Sequence, residues 1–269
     1  MLEGDEEAKI LAGGHSLIPL LKLRLVQPSQ LVDIARLPGL SYVREDNGAI
    51  AVGAMTTHFD VERSGLLMDA LPLLPLTAAT IGDVQVRNRG TIGGSLAHAD
   101  PAADLGAAAL ALGAEFVAEG PAGRRAIPAQ AFFVDVLTTA LEPAEVVVEI
   151  RFPKPAGRVG ADYLKFNHRA IDWAIVGIAS WLVFDGDVVS DAAVGLTALG
   201  STPLRATGVE QLLRGQKWSR DLAQAAAQRA SDGLDPLSDR HGSAAYRLHL
   251  ARVLTERSLI AAAARAGQQ

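Results

Sequence analysis

The 269-residue sequence predicts an α+β protein built in two parts, and three observations carry that reading. The first half interleaves short apolar strands with turns and helices. The second half runs two long strands and then two helices. Between them lies PKPAGRVG (153–160), rich in proline, glycine and positive charge, so the parts are expected at 1–157 and 158–269. Strands followed by helices, rather than strict alternation, mark an α+β module. Hydrophobic residues make up 49 % of the chain, enough for a sizeable core.

Taken in order, AKILAG (8–13) and AIAVGA (49–54) read as buried strands, the second preceded by the turn EDNG. LLMDALPLLPLTAATIG (66–82) reads as an apolar helix that Pro72 and Pro75, lacking an N–H, should kink or restart. DPAADLGAAALALGA (100–114) predicts a helix capped by Asp100, with Pro101 in the first position and an alanine-rich body up to Gly113. EFVAEGPAGRRAIPA reads as a hairpin around Gly120-Pro121, and EVVVEIRFP (145–153) as a strand stopped by Pro153. Residues 173–199 predict two long strands joined by an Asp185-Gly186 turn. Helices follow at 221–233 and 244–267, the latter with Leu248, Val253, Leu254, Leu259 and Ile260 at helical spacing.

Composition removes several classes of function. The net charge of -5 and the absence of long Lys/Arg runs argue against tracking nucleic-acid phosphates. No apolar stretch reaches the roughly 18 residues of a membrane helix. The acidic start MLEGDEEAKI has no cationic n-region, so a cytoplasmic location is the default expectation. With no cysteine there is no disulfide, thiolate zinc site or cysteine-ligated iron–sulfur cluster. The six histidines (15, 58, 98, 168, 241, 249) contain no i,i+3 or i,i+4 pair, so no metal site is expected on a helix. Redox chemistry here would require an organic cofactor.

Two glycine clusters carry the functional signal: AGGHSLIPLLKLRL (12–25) and VRNRGTIGGSLAHADPAADLG (86–106). Neither is a G-x-G-x-x-G fingerprint or a P-loop. Each reads either as a tight turn or as a nest of backbone N–H groups that binds phosphate without a lysine. Ser16, Thr91 and Ser95 would add hydroxyl donors beside the glycines.

Together with VGAMTTH (52–58) and LEPAEVVVEIRFP (141–153), these clusters resemble the FAD-binding medium subunit of the molybdenum hydroxylases, in particular the carbon monoxide dehydrogenase type. The resemblance runs from Lys9 to Trp181 and more loosely beyond. It implies a two-subdomain FAD-binding fold of the vanillyl-alcohol-oxidase/PCMH type, followed by a C-terminal antiparallel sheet with helices. It implies that Ala12, Gly13, Gly14, His15, Ser16 and Leu17 wrap the FAD pyrophosphate, while Thr91, Ile92, Gly93, Gly94 and Ser95 lie along flavin and diphosphate. It places Asp104 near the adenosine ribose, and Lys165, Asp172 and Trp173, in YLKFNHRAIDWA (163–174), toward the isoalloxazine. Plainer readings stand beside these: Asp104 as a charge at a helix N-terminus, Trp173 as core, His15 and His98 as loop hydrogen-bonders. Arg87 and Arg89 are either solvated or paired with acids at a subunit interface.

The chain departs from the family at Ser95, where asparagine is common, and at Gly106, where proline is common. Only eight residues precede Lys9, where the family has a further strand–helix unit: either the true start lies further upstream or the first subdomain lacks part of its sheet. The implied function is an electron relay carrying non-covalent FAD. Substrate is oxidised at a molybdenum cofactor in a large partner subunit, and electrons cross [2Fe-2S] clusters in a small one, as a dimer of heterotrimers. No catalytic residue for substrate is expected in this chain. The rival readings are a stand-alone FAD-dependent reductase or oxidase, and a flavin-free structural subunit.

Overall fold

The computed structural model describes residues 2, 4, 5 and 7–267; Met1, Glu3, Glu6, Gln268 and Gln269, part of the acidic start among them, lie outside the described residues. The chain opens with a two-stranded parallel sheet of β1 (Lys9–Leu11) and β2 (Leu31–Asp33), crossed by α1 (Leu17–Lys22). Gly14, at φ +78, turns the chain out of β1, a conformation that costs glycine little. Helix α1 forms despite Pro19, which stands in the first turn where no N–H is required.

A hairpin of β3 (Val43–Asp46) and β4 (Ala49–Gly53) follows, its Asn47-Gly48 turn holding φ +49 and +85. Next come α2 (His58–Arg63), α3 (Gly65–Ala70) and α4 (Leu73–Ala78), the first two capped by Thr57 and Ser64. The helix expected over 66–82 does break at Pro72. Pro75 breaks nothing, because it falls in the first turn of α4. Short α5 (Val84–Arg87) and α6 (Ile92–His98) lead to α7 (Asp104–Ala111). The expected Asp100 cap is not one: its carboxylate accepts from Ala102 N at 2.8 Å within a tight turn, and the helix starts four residues later.

Strands β5 (Glu115–Gly120) and β6 (Gly123–Pro128) form the expected hairpin, followed by α8 (Ala129–Phe132), β7 (Phe133–Asp135), β8 (Thr138–Thr139) and β9 (Val146–Pro153). The first part is thus centred on a five-stranded antiparallel sheet, β3-β4-β9-β5-β6.

The second part is a four-stranded antiparallel sheet of β10 (Arg158–Phe166), β11 (Val176–Asp185), β12 (Val188–Thr197) and β13 (Leu204–Arg205), in that order. Helices α9 (Thr207–Leu213), α10 (Arg220–Ala227) with a 3-10 turn at Gln228–Ser231, and α11 (Ala244–Ala266) complete it. Ile178, Leu182, Val194 and Leu196 on one face pack with these helices. Ala161, Tyr163, Ala179, Trp181 and Ala193 on the other face join the core of the first part. Two glycines permit this sandwiching. A Cβ on Gly160 would lie 2.3 Å from Ala262 O of α11, and one on Gly195 would lie 2.1 Å from Ala107 O of α7. With both faces covered, β11 is apolar almost without interruption, as expected of a strand buried on both sides.

Candidate functional site

The two glycine clusters meet. A Cβ on Gly13 would stand 2.1 Å from Arg89 O and 2.8 Å from Gly90 Cα, so only glycine lets the first loop lie on the second. A Cβ on Gly94 would lie 3.5 Å from the Ala12 Cβ, a second contact between the clusters. Residues separated by some eighty positions therefore form one structural unit.

Their backbones differ in what they offer. Among the described residues, none accepts a hydrogen bond from the N–H of Ala12, Gly13, Gly14, His15 or Ser16. These residues are half-buried, apart from exposed His15. The second cluster has its donors taken. Ile92 N donates to Thr56 O at 3.0 Å, Gly93 N to Ala54 O at 2.9 Å and Gly94 N to Thr91 Oγ1 at 3.2 Å. Gly93 is glycine because a Cβ would stand 2.5 Å from that of Ala54. The VGAMTTH stretch is thus the floor on which the second cluster rests. The open donors belong to the first loop, an arrangement suited to an anion such as phosphate.

His58 ends that floor. Its backbone N–H donates to Gly90 O at 2.9 Å, and its buried ring lies so close to Gly90 that a Cβ there would meet Cδ2 at 2.8 Å. Its Nδ1 is buried and has no partner among the described residues. Burial, then the nearby His15 and Arg87, push its pKa down to about 4, so the ring is neutral at pH 7. Nothing in the local sequence marks this histidine except its place at the end of VGAMTTH. Arg87 is not solvated: it donates to Glu62 at 2.7 Å and to Ile81 O at 3.1 Å, while Arg89 is exposed.

Asp104 and Lys165 come together, although one begins α7 and the other lies on β10. Lys165 Nζ donates to Asp104 Oδ2 at 2.9 Å and to Thr80 O at 3.3 Å, and the Tyr163 hydroxyl donates to Asp104 Oδ1 at 2.6 Å. The pair's side chains are each 5 % exposed. Burial pushes the Asp104 carboxyl up, opposed by Lys165, and burial with the adjacent carboxylate raises the Tyr163 phenol. Both carboxylate oxygens are engaged inside the contact between the two parts. Asp104 is thus held between the start of α7 and the Tyr163 and Lys165 side chains of β10, with no carboxylate oxygen left unbonded. Tyr163 is the member that sequence reasoning missed.

Asp172 and Trp173 lie on the 167–174 loop. Trp173 is 55 % exposed, which overturns its reading as core. His98 and Ser95 lie half-buried on α6. Among the described residues no group of three or more His, Asp or Glu side chains could hold a metal ion, and no helix is long and apolar enough to cross a membrane. A cleft of about 500 Å³ lies at the far end of α7, and its Arg205 and Arg214 are already paired with Glu210 and Asp191.

Known proteins match this architecture from end to end. The family described as the FAD binding domain in molybdopterin dehydrogenase matches residues 1–155, and the CO dehydrogenase flavoprotein C-terminal domain matches 161–262. The carbon monoxide dehydrogenase medium chain of Hydrogenophaga pseudoflava is 43 % identical, over 96 % of this chain and 90 % of the relative. The 6-hydroxypseudooxynicotine dehydrogenase complex subunit alpha of Paenarthrobacter nicotinovorans is 42 % identical, over 99 % and 90 %. Among solved structures, the Hydrogenophaga pseudoflava carbon monoxide dehydrogenase that lacks the Mo-pyranopterin moiety superposes with TM-score 0.93 at 44 % identity, over 96 % of this chain and 90 % of that one. Quinoline 2-oxidoreductase from Pseudomonas putida 86 superposes with TM-score 0.93 at 37 % identity, over 98 % and 92 %. The chain belongs to the FAD-binding medium subunits of the molybdenum hydroxylases.

Proposed function

We propose that this chain carries non-covalent FAD and relays electrons from [2Fe-2S] clusters of a small partner subunit to an external acceptor. Substrate oxidation takes place at a molybdenum cofactor in a large partner subunit. The observation that carries the reading is the run of five N–H groups, Ala12 to Ser16, with no partner among the described residues, pressed by Gly13 against the Arg89-Gly90 backbone. Such a loop fits a pyrophosphate: several aligned dipoles can face the anion and no side chain intervenes.

In this reading Ala12, Gly13, Gly14, His15, Ser16 and Leu17 hold the diphosphate, and Thr91, Ile92, Gly93, Gly94 and Ser95 flank it as a rigid wall. Asp172 and Trp173 approach the isoalloxazine from the second part. Lys165, paired with Asp104, fixes the separation of the two parts, so both residues act on the cofactor by holding its walls. FAD, when bound, supplies exchange of one or two electrons, and the protein supplies position and electrostatics. No cysteine is present for a thioether link, and neither His15 nor His98 has a special reason to attach, so acid precipitation should release the flavin into the supernatant.

The test is anaerobic absorbance at the flavin band. The lone FAD-loaded chain should be bleached by a chemical reductant and remain unbleached by carbon monoxide, aldehydes or heterocycles. Adding the metal-bearing partner subunits should restore bleaching by substrate. Bleaching of the lone chain by any such substrate would overturn the relay reading in favour of a stand-alone oxidase or reductase.

A further inference from the structure

Arg247 is buried in the first turns of α11, and three loops use its guanidinium at once. Nη1 donates to Ile175 O at 2.7 Å and to Ala198 O at 3.3 Å, while Nη2 donates to Asp239 Oδ2 at 2.7 Å. Ile175 closes the 167–174 loop, its own N–H donating to Phe166 O at 2.8 Å. Ala198 holds a left-handed φ of +63, and its N–H donates to Pro101 O at 2.9 Å, within the second glycine cluster and just before α7. The Asp239 carboxylate also accepts from His241 N at 2.8 Å, and the His241 ring lies 5.5 Å from that of His168 on the 167–174 loop.

A cation is poorly placed here on general grounds. Burial costs it its hydration, and the N-terminal end of a helix repels positive charge. An apolar residue of similar volume would fill the space without either cost. What the guanidinium adds is a planar fork of donors that reaches several acceptors together, which lysine or leucine cannot do.

We propose that Arg247 is a positioning residue that fixes the 167–174 loop, with Asp172 and Trp173, against residues 100–103 of the first part. The loop end at Ile175 and the Ala198–Pro101 contact converge on one guanidinium, so the loop is registered to the FAD-binding part through α11. Only the last step, from loop to flavin, rests on the function proposed above.

Hydrogen exchange on the flavin-free wild type, Arg247→Gln and Arg247→Lys tests the anchoring by itself. Losing charge-assisted bonds at a local opening should speed exchange about tenfold or more in R247Q, at 168–175 and 198–199. Amides of β5 and β9 should keep their protection, and R247K should fall between. An FAD titration then reads the consequence, with R247Q binding about tenfold more weakly or worse. A folded R247Q with wild-type exchange at 168–175 overturns the proposal. Should R247Q fail to fold, Asp239→Asn decides: faster exchange at 168–175 supports the anchor and unchanged exchange refutes it. Loss of loop protection in a chain whose wild type binds no FAD would leave the anchor standing and remove the proposed function.

Discussion

His58 should make the protein acid-sensitive over a defined range. Its pKa lies at about 4 in the folded chain, against 6.5 for an ordinary histidine, chiefly because the ring is buried. The unfolded chain therefore binds the proton more readily between those values, so stability falls as the pH falls. The contribution is fully present above pH 6.5 and is lost progressively down to about pH 4. Converting that interval gives roughly 3 kcal/mol at the acid end, a large share of a typical domain's stability. Other groups titrate in the same range, so the test is a difference. Urea unfolding of wild type and His58→Leu, from pH 7 to 4.5, should show the wild type losing about 2 to 3 kcal/mol more on acidification than the variant. The constant cost of repacking leucine cancels in the slope. Parallel curves for the two proteins would refute the argument. Because His58 N holds Gly90 O, FAD affinity should also fall in the wild type over the acid half of the range.

Two further outcomes follow from the geometry. Gly13→Ala would drive a methyl to 2.1 Å from Arg89 O, forcing the clusters apart, so flavin content measured by absorbance should drop about tenfold or more while far-UV circular dichroism is kept. Asp104→Asn would leave Lys165 as a buried uncompensated cation, lowering stability in denaturant by about 3 to 5 kcal/mol, whereas Asp104→Asn with Lys165→Met should recover part of that loss.

Much of the fold was legible because its elements obey local rules. Strand β9 stops at Pro153, the hairpin turns carry Asn47-Gly48 and Gly186, and the long strands β11 and β12 flank an Asp-Gly pair. What was missed depends on partners distant in sequence. Strand β10 begins inside a stretch that reads as linker, because Gly157 and Gly160 look like breakers. In fact Gly160 is small so that α11 can pack on the strand. Asp100 reads as a cap, yet a tight turn takes its carboxylate first and delays α7 to Asp104. Helix α9 carries no side-chain cap and is only seven residues long, so it gives no signal of its own.

The site divides along the same line. The glycines were legible because backbone contact excludes every other residue, and such exclusion marks a sequence however far apart the surfaces are. Glycine does not say which loop keeps its donors free, however. Gly93 serves packing against Ala54, while a Cβ on Gly94 would crowd the Thr91 hydroxyl, which is spent on Gly94 N. The first loop keeps its N–H groups free because β1 ends at Leu11 and α1 has not begun, so no ladder or helix claims them. One cluster thus forms a wall and the other offers the hydrogen-bond donors. Asp104, Tyr163 and Lys165 extend the same economy across the two parts: an ion pair and a phenol buried at their contact fix its geometry. A cofactor held there would meet surfaces already set in place, so little of its binding energy would be lost in ordering the protein.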